Sequence, residues 1–208
     1  RSIAARFNIG IARPFGYTSD VPYVKQFYVG GPNSLRAWVQ RGLGPGGYLD
    51  TLAQDPNNRF RLNPGNRFLL YQTGDLKLEF NLEYRFDIFW MLKGALFLDA
   101  GNIWTLKRDP DRCGSQFLLR QRIIDNCGPD GNPHINDPFY KQIAVGTGAG
   151  LRLDFSYFII RLDMGVKLRY PFPRNIWEGQ VNERQYWEDF KGWGFRDLTF
   201  NLGFGYPF

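Results

Sequence analysis

The chain has 208 residues, a net charge of +6, 43% hydrophobic and 17% aromatic residues, and 24 Gly with 13 Pro. With a mean hydropathy of −0.38 and no run near the ~18–20 consecutive apolar residues of a spanning helix, a helical membrane protein is excluded, but one that crosses with strands is not. Lys and Arg are scattered through alternating segments instead of clustered on one face, which argues against a nucleic-acid partner. Arg1 opens directly in a strand-like pattern, as expected of a chain cut from something longer.

Ile3, Ala5, Phe7, Ile9 and Ile11 alternate with Ala4, Arg6, Asn8 and Gly10, a strand pattern ended by Pro14. Residues 16–64 then show no sustained periodicity and read as one connection, far longer than the usual ~4–6 residues. At its middle lies Gly30-Gly31-Pro32-Asn33-Ser34-Leu35-Arg36-Ala37-Trp38, turn formers followed by a lone arginine among apolar neighbours. Next, Leu76, Leu78, Phe80, Leu82, Tyr84, Phe86 and Ile88 oppose Asp75, Lys77, Glu79, Asn81, Glu83, Arg85 and Asp87. After a turn near Phe89-Trp90, Leu92, Leu96 and Leu98 face one way, with Lys93, Phe97 and Asp99 opposite. Asp99 sits within Phe97-Leu98-Asp99-Ala100-Gly101-Asn102, and a charge on such a strand is costly unless paired. Arg36 and Asp99 are therefore candidate partners.

Residues 105–140 read as a surface loop holding the two cysteines, Cys113 and Cys127. In an oxidising compartment an isolated pair on one loop is a staple, contributing about 3 kcal/mol by loop-closure entropy. Two further strands follow. Val145, Ala149, Leu151 and Leu153 oppose Gly146, Gly148, Gly150, Arg152 and Asp154, and Ile160, Leu162, Met164 and Val166 oppose Arg161, Asp163, Gly165 and Lys167. Asp154 and Asp163 have Arg neighbours on the same face and read as lumen salt bridges. A second surface loop over 173–196 leads to a final strand in which Leu198, Phe200, Leu202, Phe204, Tyr206 and Phe208 oppose Thr199, Asn201, Gly203 and Gly205.

These six strands run about twice the usual ~5–6 residues of a soluble sheet, with several charges on the face opposite the apolar one. Tyr84, Phe86, Tyr157, Tyr170, Phe172, Tyr206 and Phe208 lie near strand ends, as in an interfacial girdle. Short turns alternate with long loops. The class is all-β, and the strand lengths favour a transmembrane antiparallel β-barrel of the outer-membrane type over the alternative, a soluble antiparallel sheet protein. Six strands cannot close a barrel, since the smallest have about 8, so the chain reads as the C-terminal part of a larger one or as one of several subunits.

The motifs resemble those of the BamA/TamA family of outer-membrane assembly and translocation proteins. Gly30, Gly31, Ser34, Leu35, Arg36, Ala37 and Trp38 look like the family's Val-Arg-Gly-Phe/Tyr loop, with Ala37 where the motif has glycine. Phe97, Asp99, Gly101 and Asn102 resemble its Phe-x-Asp-x-Gly strand, and Asn81-Leu82-Glu83-Tyr84 resembles the acidic strand before it. Asn201, Gly203, Tyr206 and Phe208 fit its C-terminal insertion signal. The resemblance implies about strands 11–16 of a 16-stranded barrel, with periplasmic domains on the missing N-terminal part. It implies that the loop over 16–64 folds inward and that Arg36 is pinned to Glu83 and Asp99. It also implies a weak seam at the last strand, which Gly203, Gly205 and Pro207 suit. The implied setting is the outer membrane of a Gram-negative-type cell. Implied partners are outer-membrane lipids, nascent outer-membrane or surface-protein clients, the parent's periplasmic domains and accessory subunits. No enzyme, cofactor or metal is expected: His134 stands alone in a loop and is expected to be exposed. The rival reading is a passive pore or secretion channel.

Overall fold

The computed structural model describes residues 1–18, 20–48, 54–55, 58–62, 72–125, 127, 134–155, 157–173, 184–191 and 194–207. Its strands are β1 (Ser2–Ile11), β2 (Gln54–Asp55), β3 (Asn58–Leu62), β4 (Leu76–Phe89), β5 (Leu92–Trp104), β6 (Arg122–Ile124), β7 (His134–Asn136), β8 (Ala144–Asp154), β9 (Ile159–Arg169) and β10 (Thr199–Phe204). Six of them form one antiparallel sheet in the order β1-β4-β5-β8-β9-β10, while β2–β3 and β6–β7 are separate pairs. The described sheet is open, with β1 and β10 as its edges.

Strand-length alternation drives this sheet, but the burial it produces is inverted relative to a soluble protein. The apolar side chains point outward: Phe7 is 67% exposed, Leu96 52%, Leu202 62% and Phe204 72%. The opposite face carries Glu79, Asn81, Glu83, Asp99, Arg152, Arg161 and Asp163, each at most 1% exposed. Water would not hold that arrangement, because it leaves the apolar area wet and desolvates the charges. Hydrocarbon outside and a filled lumen inside would.

The filling is the connection between β1 and β4. Its residues Val29, Leu35, Ala37, Trp38 and Leu43 pack with Ile103 and Ala144 of the wall into the chain's apolar cluster. Register aligns what the loop meets. Asn81 of β4 stands opposite both Arg6 of β1 and Asp99 of β5, Asp99 opposite Gly146 of β8, and Gly165 of β9 opposite both Gly148 and Thr199.

Several expectations need correction. The stretch 16–64 is not wholly irregular, since β2 and β3 lie within it. The stretch 105–140 holds the β6–β7 pair, and Thr105 bridges Gln116. Tyr170 and Phe172 belong to no girdle: they are 6% and 8% exposed. Residues 186–188 add to the end of β9, with Tyr170 N–H donating to the Tyr186 carbonyl at 2.9 Å and Glu188 N–H to Leu168 at 2.8 Å. Tyr84 and Tyr157 do face outward, whereas Tyr206, beyond the turn at Gly205, lies against the inward-facing Arg85, and Phe208 lies outside the described residues. His134 is half-buried on β7, not exposed. Burial and the nearby Arg184 charge hold its imidazole below the ordinary value, against the opposing pull of Asp137.

Candidate functional site

The loop is shaped before it meets the wall. Gly30 and Gly31 take φ values of 97° and 88°, a region closed to most side chains. This lets Gly31 N–H reach the Trp38 carbonyl at 2.8 Å, while the Ser34 hydroxyl accepts from Gly30 N–H at 3.1 Å. Trp38 N–H closes the last turn on Leu35 at 3.1 Å. The result is a compact hook with Arg36 at its tip.

Arg36 is fully buried. Its Nε and Nη2 donate to the two oxygens of Asp99 at 2.9 and 2.8 Å, a bidentate fork, and its backbone N–H adds a third bond to Asp99 at 3.0 Å. Nη1 donates to Glu83. The guanidinium carbon stands 3.8 Å over the Phe97 ring, so the cation also has an aromatic face. Around this core the pairing continues. Asp99 accepts from Asn81 at 2.9 Å, and Glu83 from Arg85 at 2.8 Å and Arg152 at 3.3 Å. Arg152 pairs with Asp163 at 2.6 Å, and Lys77 with Glu79 at 2.8 Å, while Glu79 accepts from the Ser34 hydroxyl. Asp154 pairs with Lys93 at 2.8 Å.

The wall is cut to receive the hook's backbone. A methyl at Gly165 would lie 2.6 Å from the Arg36 carbonyl oxygen and 2.7 Å from the Ala37 Cα. A methyl at Gly146 would lie 2.4 Å from the Ala37 Cβ. The side chain at Ala37, where the resembled motif has glycine, therefore occupies the space that Gly146 leaves empty. Gly101 likewise admits β4 closely, since a Cβ there would lie 2.3 Å from the Leu78 carbonyl oxygen. Asn102 anchors the next stretch of the loop by donating to the Gly46 carbonyl at 2.9 Å and to that of Gln142 at 2.6 Å.

The structure thus brings Arg36, Glu83, Asp99, Ser34, Ala37 and Phe97 into one site. It adds residues that sequence reasoning passed over. Asn33 is gripped by Arg6, which donates to its carbonyl at 2.7 Å, and by Arg161, which donates to its side chain. The last strand joins the site too: Asn201 Nδ2 donates to the Arg36 carbonyl at 2.7 Å and the Thr199 hydroxyl to the Ala37 carbonyl at 2.9 Å. Gly203 lies beneath the Arg161 guanidinium, and Tyr206 has the Arg85 guanidinium 4.3 Å over its ring. Lumen-facing parity was the available signal for Arg161, Asn201 and Thr199, but parity names no partner. Cys113 and Cys127 form a disulfide in the outer loop, away from this site, with Cα atoms 5.7 Å apart.

An apolar exterior, a charge-paired interior and a hook seated between them define a wall segment of an outer-membrane β-barrel. The chain belongs to the Omp85 superfamily, whose domain matches residues 1–207. It is 24% identical over 146 residues to the outer membrane protein assembly factor BamA of Neisseria meningitidis serogroup B (strain ATCC BAA-335 / MC58). That alignment covers 69% of this chain but only 16% of the relative's length. No solved structure matches. The superfamily and this relative place the chain in the outer membrane of Gram-negative bacteria.

Proposed function

We propose that the chain is the C-terminal part, about strands 11–16, of a 16-stranded barrel that helps to insert or translocate outer-membrane or surface proteins without enzymatic chemistry. One observation carries the reading. The lumen face of the sheet is occupied by a hook whose arginine is buried against two wall carboxylates. A diffusion pore gains nothing from such a plug, whereas a machine that works at its own wall needs the lumen closed and the wall braced. The exposed edge of β10, only six residues long, supports the same reading, because an unpaired edge can template an incoming strand. Clients are then unfolded barrel or surface proteins. Outer-membrane lipids surround the wall, and periplasmic domains of the parent with accessory subunits deliver the cargo.

The test is reconstitution of the full-length parent in lipid vesicles with an unfolded barrel protein as client. The reading expects faster client insertion than in empty vesicles, and loss of most of that gain in Arg36→Met and Asp99→Asn. No acceleration, together with free passage of small solutes, would instead establish the passive pore.

A further inference from the structure

β10 is weakly held by its ladder. Six positions pair with β9, against ten for β1 on β4 and ten for β8 on β9. After Phe204 the backbone turns away through Gly205 at φ 73°, with one last bond from Gly205 N–H to the Ile159 carbonyl. Phe200, Leu202 and Phe204 face outward and are 49–72% exposed, and of the three Phe200 meets a ring, that of Phe195 just before the strand. The tail beyond the strand is held by Arg6, which donates to the Pro207 carbonyl at 3.5 Å, and by Arg85 over the Tyr206 ring, and along the strand itself every inward position is committed. Thr199 donates to the Ala37 carbonyl, Asn201 to the Arg36 carbonyl, and Gly203 accommodates Arg161, which also holds Asn33.

Arg36 therefore straddles the lumen. Its side chain is bonded to β4 and β5 through Glu83 and Asp99, and its carbonyl to β10 through Asn201. The hook's backbone lies flat on Gly165, the residue opposite Thr199 in register. Unseating Arg36 withdraws both acceptors at once and strands two donors, one of them on Asn201, which is 8% exposed. Freeing β10 likewise removes two bonds that orient the hook. Coupling of this kind is reciprocal by thermodynamic necessity.

We infer that the Arg36 hook and the terminal strand β10 open and close as one unit through Asn201 and Thr199, which are positioning residues that set how readily the sheet edge is released. The polar position of the C-terminal insertion motif, Asn201, thereby has a second task inside the finished barrel. The consequence for clients rests on the proposed assembly role, but the coupling itself does not.

The test is amide hydrogen exchange on the full-length parent in lipid, without any client, following peptides from residues 30–38 and 199–207. Thr199→Val keeps the side chain's shape and removes only the donor, and Asn201→Leu removes the other. Each lost buried bond is expected to speed exchange of the 30–38 peptide about fivefold, and the pair about thirtyfold. Arg36→Met must speed exchange of the 199–207 peptide in return, while the β4–β5 turn stays as protected as before. Loosening of one peptide without the other, in either direction, overturns the inference. Should Asn201→Leu fail to reach the membrane, Thr199→Val alone carries the test. If exchange is coupled but Thr199→Val leaves client insertion unchanged, the coupling stands and the assembly role of the edge falls.

Discussion

Replacing Arg36 with methionine keeps much of the side-chain volume and removes the charge, so its effect isolates the ion pairing. Breaking a buried pair by removing one partner costs about 3–5 kcal/mol, because the remaining charge is left uncompensated. Here the residual carboxylates keep other partners. Asp99 still accepts from Asn81 and from the residue-36 backbone N–H, and Glu83 from Arg85 and Arg152. The cost therefore falls at the lower end, about 3 kcal/mol, or roughly a 150-fold shift in the equilibrium between seated and released hook. Arg36→Lys should recover only part of this, since an ammonium cannot repeat the fork on Asp99 or the planar contact with Phe97. Limited proteolysis of the full-length protein in lipid reads the released population directly at residues 30–38. A cleavage rate for Arg36→Met within about twofold of the unmodified protein would refute the reasoning, because the buried carboxylates would then owe nothing to the arginine.

Gly146→Ala should unseat the hook by a clash with Ala37, and Ala37→Gly in the same chain should restore it, read by the same proteolysis; an unrescued double variant would disprove the complementarity. Gly165→Ala meets backbone on the hook, which cannot yield, so no change at position 37 should rescue it. Intact-mass analysis without reductant should show no free thiol at Cys113 or Cys127, and reduction should loosen the outer loop by about 3 kcal/mol while leaving exchange at residues 30–38 unchanged. The segment with His134 should be sensitive to acid. Its imidazole is held below the ordinary value by burial and by Arg184, so its contribution is complete above about pH 6.5 and is lost as pH falls toward the lowered value. Exchange in residues 134–142 should rise over that window, and His134→Asn should abolish the dependence. Asp109 acts in a lower range. Burial raises its carboxyl, but the Arg112 hydrogen bond and charge outweigh this and hold it below the usual value, so its contribution persists until pH drops below about 4.

Much of the wall was legible because a strand exposes one period and nothing else. The alternation from Leu76 to Ile88 gives both the length of β4 and the inward parity of Glu79, Asn81 and Glu83, since a slip of one residue would put every carboxylate into lipid. The same argument places Asp99 inward, and a buried carboxylate then demands a cation. Arg36, flanked by Leu35 and Ala37 in a long connection, was the visible candidate. What periodicity could not show is where side chains meet backbone. Asn201 and Thr199 donate to carbonyls of a loop some 160 residues earlier in the chain, and no local pattern encodes that meeting. The wall glycines were ambiguous for the same reason, because Gly146 and Gly165 read alike as weak strand residues until the hook lies on them. Tyr170 and Phe172 misled because their parity is that of an exposed girdle, while both are buried where the segment carrying Tyr186 pairs with the end of β9.

The central claim is that this wall ends in a releasable edge and not in a sealed pore. Its most direct test pairs cysteine crosslinking between Phe204 and the first strand of the full-length parent with conductance in planar bilayers. The account predicts inefficient crosslinks spread over several registers and a small, flickering conductance that grows in Arg36→Met. A single efficient register with a large, steady conductance would contradict it and leave a pore built on the same sheet.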